Sequence, residues 1–227
     1  MRIIIFIVVL FSAHDINYRE IFKEEYDKAA LFMDENKDII EKTCRLFDNN
    51  PFVISSIIFP EAIRYSMIRD YLETASLELV YVSTGEADFS IGSFQIKPSF
   101  AERVEYYAKH EMKFIEAELL DWFSYDEGLK DYQIRKERLE RLKSTEGQLL
   151  YVNLFYKYLL NRFDKLNKNG AEYLIKFSST AYNHDFEADM KEIEIYMSKA
   201  FFPWGVKNDK EKFNYADIAW YYYQDIK

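Results

Sequence analysis

Hydrophobic residues recur along most of this chain at the three-to-four-residue spacing of helices, and strict polar–apolar alternation is scarce. Residues 16–47 form a polar stretch with helical periodicity, closed by Asp48-Asn49-Asn50-Pro51. Asn50 suits an N-cap, and Pro51 suits the first helical position, where an N–H would have no partner anyway. The predicted helix that follows carries Ile54, Ile57 and Ile58 on one face, and the pattern continues as helix from Arg64 to Val82 after a bend at Pro60. Residues 85–88 and 90–98 read as loops, the second centred on Gly92. A charged amphipathic stretch runs from Phe100 to Leu142. Thr145-Glu146-Gly147-Gln148 then has the spacing of a capping box, ahead of a strongly apolar helix at 149–163. Asn169-Gly170 marks a turn, and residues 171–182 read as a helix with Leu174, Phe177, Ser178 and Ala181 on one stripe. Phe201-Phe202-Pro203-Trp204-Gly205 reads as another turn, followed by an aromatic run at 220–223. No internal repeat, low-complexity tract or linker interrupts the pattern, so the expectation is one all-α domain.

Composition supports this reading. With 227 residues, 49% of them hydrophobic, the chain can bury a substantial core, and only 6 Gly and 4 Pro leave few turn formers. The 19 Tyr could line a sugar site, each ring packing on C–H groups while its hydroxyl bonds a sugar OH; core packing is the plainer explanation. A net charge of -9 with no basic stripe argues against a nucleic-acid partner. The single cysteine, Cys44, excludes an intramolecular disulfide, and its amphipathic surroundings favour packing over catalysis. His14, His110 and His184 are scattered and form no zinc spacing with Cys44, and no glycine-rich phosphate loop occurs. No metal or cofactor is therefore expected.

Met1-Arg2, the apolar run Ile3–Phe11 and Ser12-Ala13-His14 have the layout of a secretory signal peptide over residues 1–13, with a mature domain at 14–227. The run is too short to cross a bilayer. A buried N-terminal segment is the competing explanation. Export to the periplasm or cell surface is the expectation.

Glu61 is the sharpest chemical signal. It follows Ile54, Ile57 and Ile58 by seven, four and three residues, which places its carboxyl on the face those isoleucines bury. A carboxylate that loses water there gains proton affinity, and a protonated carboxylic acid is what glycoside cleavage requires. The structural alternative is a buried ion pair with Arg64 or Arg69.

Three segments then carry a resemblance. Val53-Ile54-Ser55-Ser56-Ile57-Ile58-Phe59-Pro60-Glu61 resembles the helix that ends in the catalytic Glu of lytic transglycosylases and goose-type lysozymes. Ile91-Gly92-Ser93-Phe94-Gln95-Ile96-Lys97-Pro98 resembles their Gly-Leu-Met-Gln-Ile-x-Pro motif, and Thr180-Ala181-Tyr182-Asn183 resembles their Ala-Tyr-Asn motif. The segments occur in the family's order and lie within residues 51–186. The resemblance implies a lysozyme-like, mostly helical domain with a catalytic cleft. It further implies a bacterial glycosidase that cuts the β-1,4 bond between N-acetylmuramic acid and N-acetylglucosamine of the peptidoglycan glycan strand, without metal or cofactor. Glu61 would be the general acid and then the base. Gly92 would let the backbone approach the sugar, Gln95 would contact it, Tyr182 would orient the Glu61 carboxyl, and Asn183 would support the turn.

The chain departs from the family pattern in several places. Ala62 stands where Ser usually follows the catalytic Glu, Asn183 is followed by His184-Asp185, and the 34 residues from Glu61 to Gln95 exceed the usual gap. The longer gap admits Glu73-Thr74 as a rival Glu-Ser equivalent. Asp88 is the candidate second carboxylate that would direct hydrolysis, with Glu86 behind it; without one, the sugar's own C6 hydroxyl would attack and leave a 1,6-anhydro end. These departures keep a second reading open, a non-catalytic glycan-binding envelope protein that retains the fold.

Overall fold

A computed structural model describes residues 16–67, 72–203 and 211–227, with residues 72–74 described in backbone only. The segments expected to act as a signal peptide, and the positions of Arg69 and Trp204-Gly205, lie outside the described residues. The chain is mostly helical. In order come α1 (Tyr18–Phe22), α2 (Glu24–Glu35), α3 (Lys37–Leu46), α4 (Pro51–Met67), α5 (Leu72–Thr84), α6 (Pro98–His110), α7 (Ala117–Asp121), α8 (Asp131–Lys143) and α9 (Thr145–Arg162). A 3-10 turn (Leu166–Lys168), α10 (Ala171–Asn183), α11 (Met190–Tyr196), β1 (Ala200–Phe202), β2 (Phe213–Asn214) and α12 (Tyr215–Ile226) complete it. The two short strands pair antiparallel, Ala200 opposite Asn214 and Phe202 opposite Phe213.

Two helices organise the core. In α4 every residue from Val53 to Ile63 is buried, because α2, α3, α9, α10 and α12 pack around it. A helix apolar on all sides is stable only in such a position. In α9 the run from Gly147 to Tyr156 is buried among α3, α6 and α8. A polar link joins the two: Asn49 Nδ2, just before α4, donates to the Asn153 carbonyl (3.1 Å) and to Asn153 Oδ1 (2.9 Å) on α9. Much of the tyrosine content belongs to the core. Tyr26, Tyr81, Tyr151, Tyr215 and Tyr222 are all buried, and Tyr222 stacks on Phe59 with centroids 3.5 Å apart.

Several boundaries differ from the sequence pattern for local reasons. Residues 16–47 divide into three helices at Lys23, whose φ is +47°, and at Asn36. The charged stretch from Phe100 divides into α6, α7 and α8. Asn50 does cap α4, its Oδ1 accepting from Phe52 N at 2.9 Å. The cap of α9, however, is Ser144, whose Oγ accepts from Gly147 N at 3.0 Å, rather than a Thr145–Gln148 box. Pro60 does not end its helix: α4 runs through it to Met67, and α5 is described from Leu72. Near the proline, which has no N–H to give, the Tyr215 hydroxyl donates to the Ile57 carbonyl at 3.1 Å. Phe201 and Phe202, expected at the start of a turn, belong instead to β1.

Candidate functional site

The site is built around a tight turn. Ile91 and Ile96 exchange both backbone hydrogen bonds (2.9 and 3.1 Å), and Gln95 N closes the loop on the Gly92 carbonyl at 3.1 Å. Gly92 and Gln95 both hold positive φ, +66° and +53°. Gln95 Nε2 folds back to donate to the Gly92 carbonyl at 2.9 Å, so Oε1 is the amide atom left to accept from a ligand. Beneath the turn lies Gln148 of α9, 1% exposed, whose Oε1 accepts from Phe94 N (2.9 Å) and whose Nε2 donates to the Leu142 carbonyl (2.8 Å). A Cβ on residue 92 would lie 1.7 Å from Gln148 Nε2. Packing against Gln148 therefore by itself requires a glycine at position 92.

Beside this turn is a cleft of about 620 Å³. Its walls come from α4 (Glu61, Arg64), the loop before α6 (Asp88, Gln95, Lys97), α6 itself (Phe100, Arg103), the end of α10 (Tyr182, Asn183) with His184 and Asp185, and β1 (Phe201, Phe202). Glu61, Gln95, Tyr182 and Asn183, far apart in sequence, therefore share one cavity, and Asp88 joins them. The side chain of Glu73 lies outside the described residues.

Glu61 is 5% exposed. Burial pushes its carboxyl up from the ordinary range, while Arg64 and, further away, Lys97 pull it down; burial prevails. Arg64 Nη1 approaches Glu61 Oε2 at 3.4 Å, longer than the 2.7–2.9 Å typical of a charge-assisted bond. The Tyr182 hydroxyl donates to the Phe94 carbonyl at 2.7 Å and so braces the turn. Burial raises the Tyr182 hydroxyl well above its usual range, and the nearby Glu61 charge adds to the effect. Tyr215, raised first by burial and then by Glu61, borders the carboxyl from α12.

The remaining walls are polar. Asp88 Oδ1 accepts from Ser99 N at 3.2 Å, capping the first turn of α6, and Oδ2 lies 3.7 Å from Lys97 Nζ. Asn183 is the last residue of α10 and is exposed at the cleft rim. Asp185 accepts from Arg103 Nη1 at 2.6 Å. Burial alone would raise the Asp185 carboxyl, but the Glu187 N–H and the Arg103 guanidinium together hold it below the usual range. His184 stacks on Tyr196 and meets Glu192 at 3.0 Å. Among the described residues no cluster of three or more His, Cys, Asp or Glu is gathered to hold a metal ion, and no helix is long and apolar enough to cross a membrane.

Sequence reasoning missed Gln148, read as a cap, and underweighted Arg64, Lys97 and Arg103. Gln148 carried one signal: a lone amide in an otherwise apolar helix, which requires partners once buried. Compared with protein-family models, with curated proteins and with solved structures, the chain matches none.

Proposed function

We propose that this chain is a peptidoglycan-cleaving glycosidase with a lysozyme-like arrangement, in which Glu61 is the general acid and base. One observation carries the reading: a carboxyl that burial shifts toward its protonated form lies in the wall of a cleft large enough for sugar rings. The protonated Glu61 would donate to the glycosidic oxygen of the β-1,4 bond between N-acetylmuramic acid and N-acetylglucosamine as the C1–O bond breaks. The resulting carboxylate would then take the proton of the attacking hydroxyl. Asp88 is already engaged with Ser99 N and Lys97, which favours attack by the sugar's own C6 hydroxyl, giving a 1,6-anhydro end, over hydrolysis directed by a second carboxylate. The glycan strand lies outside the cytoplasm in bacteria, so the reading includes export, and N-terminal sequencing of the protein from its native host should find a start near His14.

The second reading, a non-catalytic glycan-binding envelope protein, is favoured by the Glu61–Arg64 contact, which pulls against the protonation that burial promotes. Mass spectrometry of products from purified peptidoglycan separates the two. Wild-type protein should release muropeptides, mostly with 1,6-anhydro ends, and Glu61→Gln should lower the rate by about 10²–10⁴-fold. A well-folded Glu61→Gln protein with full activity excludes Glu61 as the acid and turns attention to Glu73. Binding to peptidoglycan without any release, across acid to neutral pH, favours the second reading.

A further inference from the structure

The protonated form of Glu61 leaves an electrostatic difficulty in its own cleft. Among the described residues four groups feel the carboxyl: Arg64 from α4, Lys97 from the loop before α6, Tyr182 from α10 and Tyr215 from α12. The two tyrosines are neutral, so Arg64 and Lys97 are the only charges among these four. The Arg64 side chain is 19% exposed, and its Nε is buried with no hydrogen-bond partner among the described residues. Among the described residues its one ionic contact is the 3.4 Å approach to Glu61. Lys97, 55% exposed, holds Asp88 only at 3.7 Å. The third cation of the cleft, Arg103, shares the unpartnered Nε but differs in its ionic contacts: its Nη1 is bound by Asp185 at 2.6 Å and by Glu187 at 2.9 Å. When Glu61 takes up a proton, Arg64 loses this counter-charge in a largely desolvated place, a loss that another anion would offset.

We propose that Arg64, assisted by Lys97, is a subsite for a carboxylate carried by the glycan ligand, and that occupation of this subsite draws Arg64 away from Glu61. The proposal rests on the glycosidase reading for its consequence but not for its binding step. Guanidinium groups bind carboxylates with planar, paired donors, and Arg64 lines the cleft with its Nη1 only loosely engaged, 3.4 Å from Glu61, and with its Nε unpartnered on the other edge of the fork. Once the ligand anion holds Arg64, the larger of the two opposing influences on Glu61 is gone, and the carboxyl takes a proton from solvent. The acid would then be loaded by the acidic substrate itself, and neutral glycans of the same length would be poor ligands and poorer substrates.

Calorimetric titration with three soluble glycan oligomers of equal length tests this. One carries a carboxylate on each disaccharide, the second has those carboxylates reduced to alcohols, and the third carries the carboxylate on a short attached peptide. The first or third should bind roughly ten- to a hundredfold more tightly than the second, the range of one charge-assisted hydrogen bond, and whichever gains more identifies the source of the anion. Arg64→Gln should abolish the difference, Arg64→Lys should restore part of it, and Lys97→Gln should reduce it by a smaller factor. Glu61→Gln, which removes the competing carboxylate, should keep or widen it while preventing turnover. In wild type, ¹³C spectra of the Glu61 carboxyl should move toward the protonated form on adding the acidic oligomer, and not on adding the reduced one. Equal binding of acidic and reduced oligomers, or a preference that survives in folded Arg64→Gln protein, overturns the proposal. Acid-selective binding without cleavage supports it and defeats only the catalytic reading, whereas cleavage without selectivity does the reverse.

Discussion

Gly92→Ala probes how the turn beside the cleft is held. The added Cβ would lie 1.7, 2.7 and 3.0 Å from Gln148 Nε2, Cδ and Oε1. The end of a glutamine side chain can often swing aside, but this one is 1% exposed and holds Phe94 N and the Leu142 carbonyl. Moving it strands two buried backbone groups, at about 1–3 kcal/mol each. The φ of +66° adds about 1–2 kcal/mol for a residue with a Cβ. The expected loss is about 3–8 kcal/mol, a large part of the roughly 5–15 kcal/mol that stabilises a typical domain. Urea unfolding followed by circular dichroism measures it. A double-mutant cycle sharpens the test. In a Gln148→Ala background the two backbone groups are already bare and the clash is gone, so Gly92→Ala should then cost only its backbone strain, about 1–2 kcal/mol. Additive costs in the cycle, or a single Gly92→Ala variant within about 1 kcal/mol of wild type, would refute the reasoning.

Three further outcomes are expected. Because burial raises the folded-state proton affinity of Glu61, this group's stabilising contribution is complete below the ordinary Glu range and is lost as pH rises through the raised folded value. The Tm of Glu61→Gln relative to wild type should therefore increase with pH between pH 4 and 8, and a relative decrease would identify the Arg64 pair as the dominant influence. Tyr182→Phe should lower stability by about 1 kcal/mol, or roughly 2–4 °C in Tm, through loss of the hydrogen bond to the Phe94 carbonyl. It should also leave the shape of the pH–activity curve unchanged, because the hydroxyl is not bonded to Glu61. Arg138→Ala should lower stability by about 3–5 kcal/mol in urea, since it leaves Glu105, 8% exposed, without its paired guanidinium; a loss below about 1 kcal/mol would contradict that account.

The candidate site was legible as a set of residues rather than as a mechanism. Glu61, Gln95, Tyr182 and Asn183 were named from motif order, and all line one cleft. Two of the motif residues also have packing tasks that the motifs do not give. Gly92 accommodates Gln148, and Tyr182 bonds Phe94. Motif order carries residue identity along the chain, while a hydrogen-bond partner is chosen across it, by elements 50 to 90 positions distant.

What the sequence determined by itself was local. The periodicity specified a helical protein, because a stripe of apolar side chains stabilises a helix only by being buried. Asn50-Pro51 specified where α4 begins, since capping satisfies N–H groups within a single turn. The apolar density of α4 also required a central position, though not which neighbours would supply it. The tertiary structure decided the rest. The isoleucine stripe did not select the Glu61 face, because α4 is buried on every side from Val53 to Ile63. It is the arrangement of α6, α10 and the Gly92 turn that opens a cleft at Glu61 while Ser56 and Ile57 remain sealed. The balance at the carboxyl was likewise undecided until packing set its distances, because desolvation and the attraction of Arg64 act in opposite directions and both depend on burial.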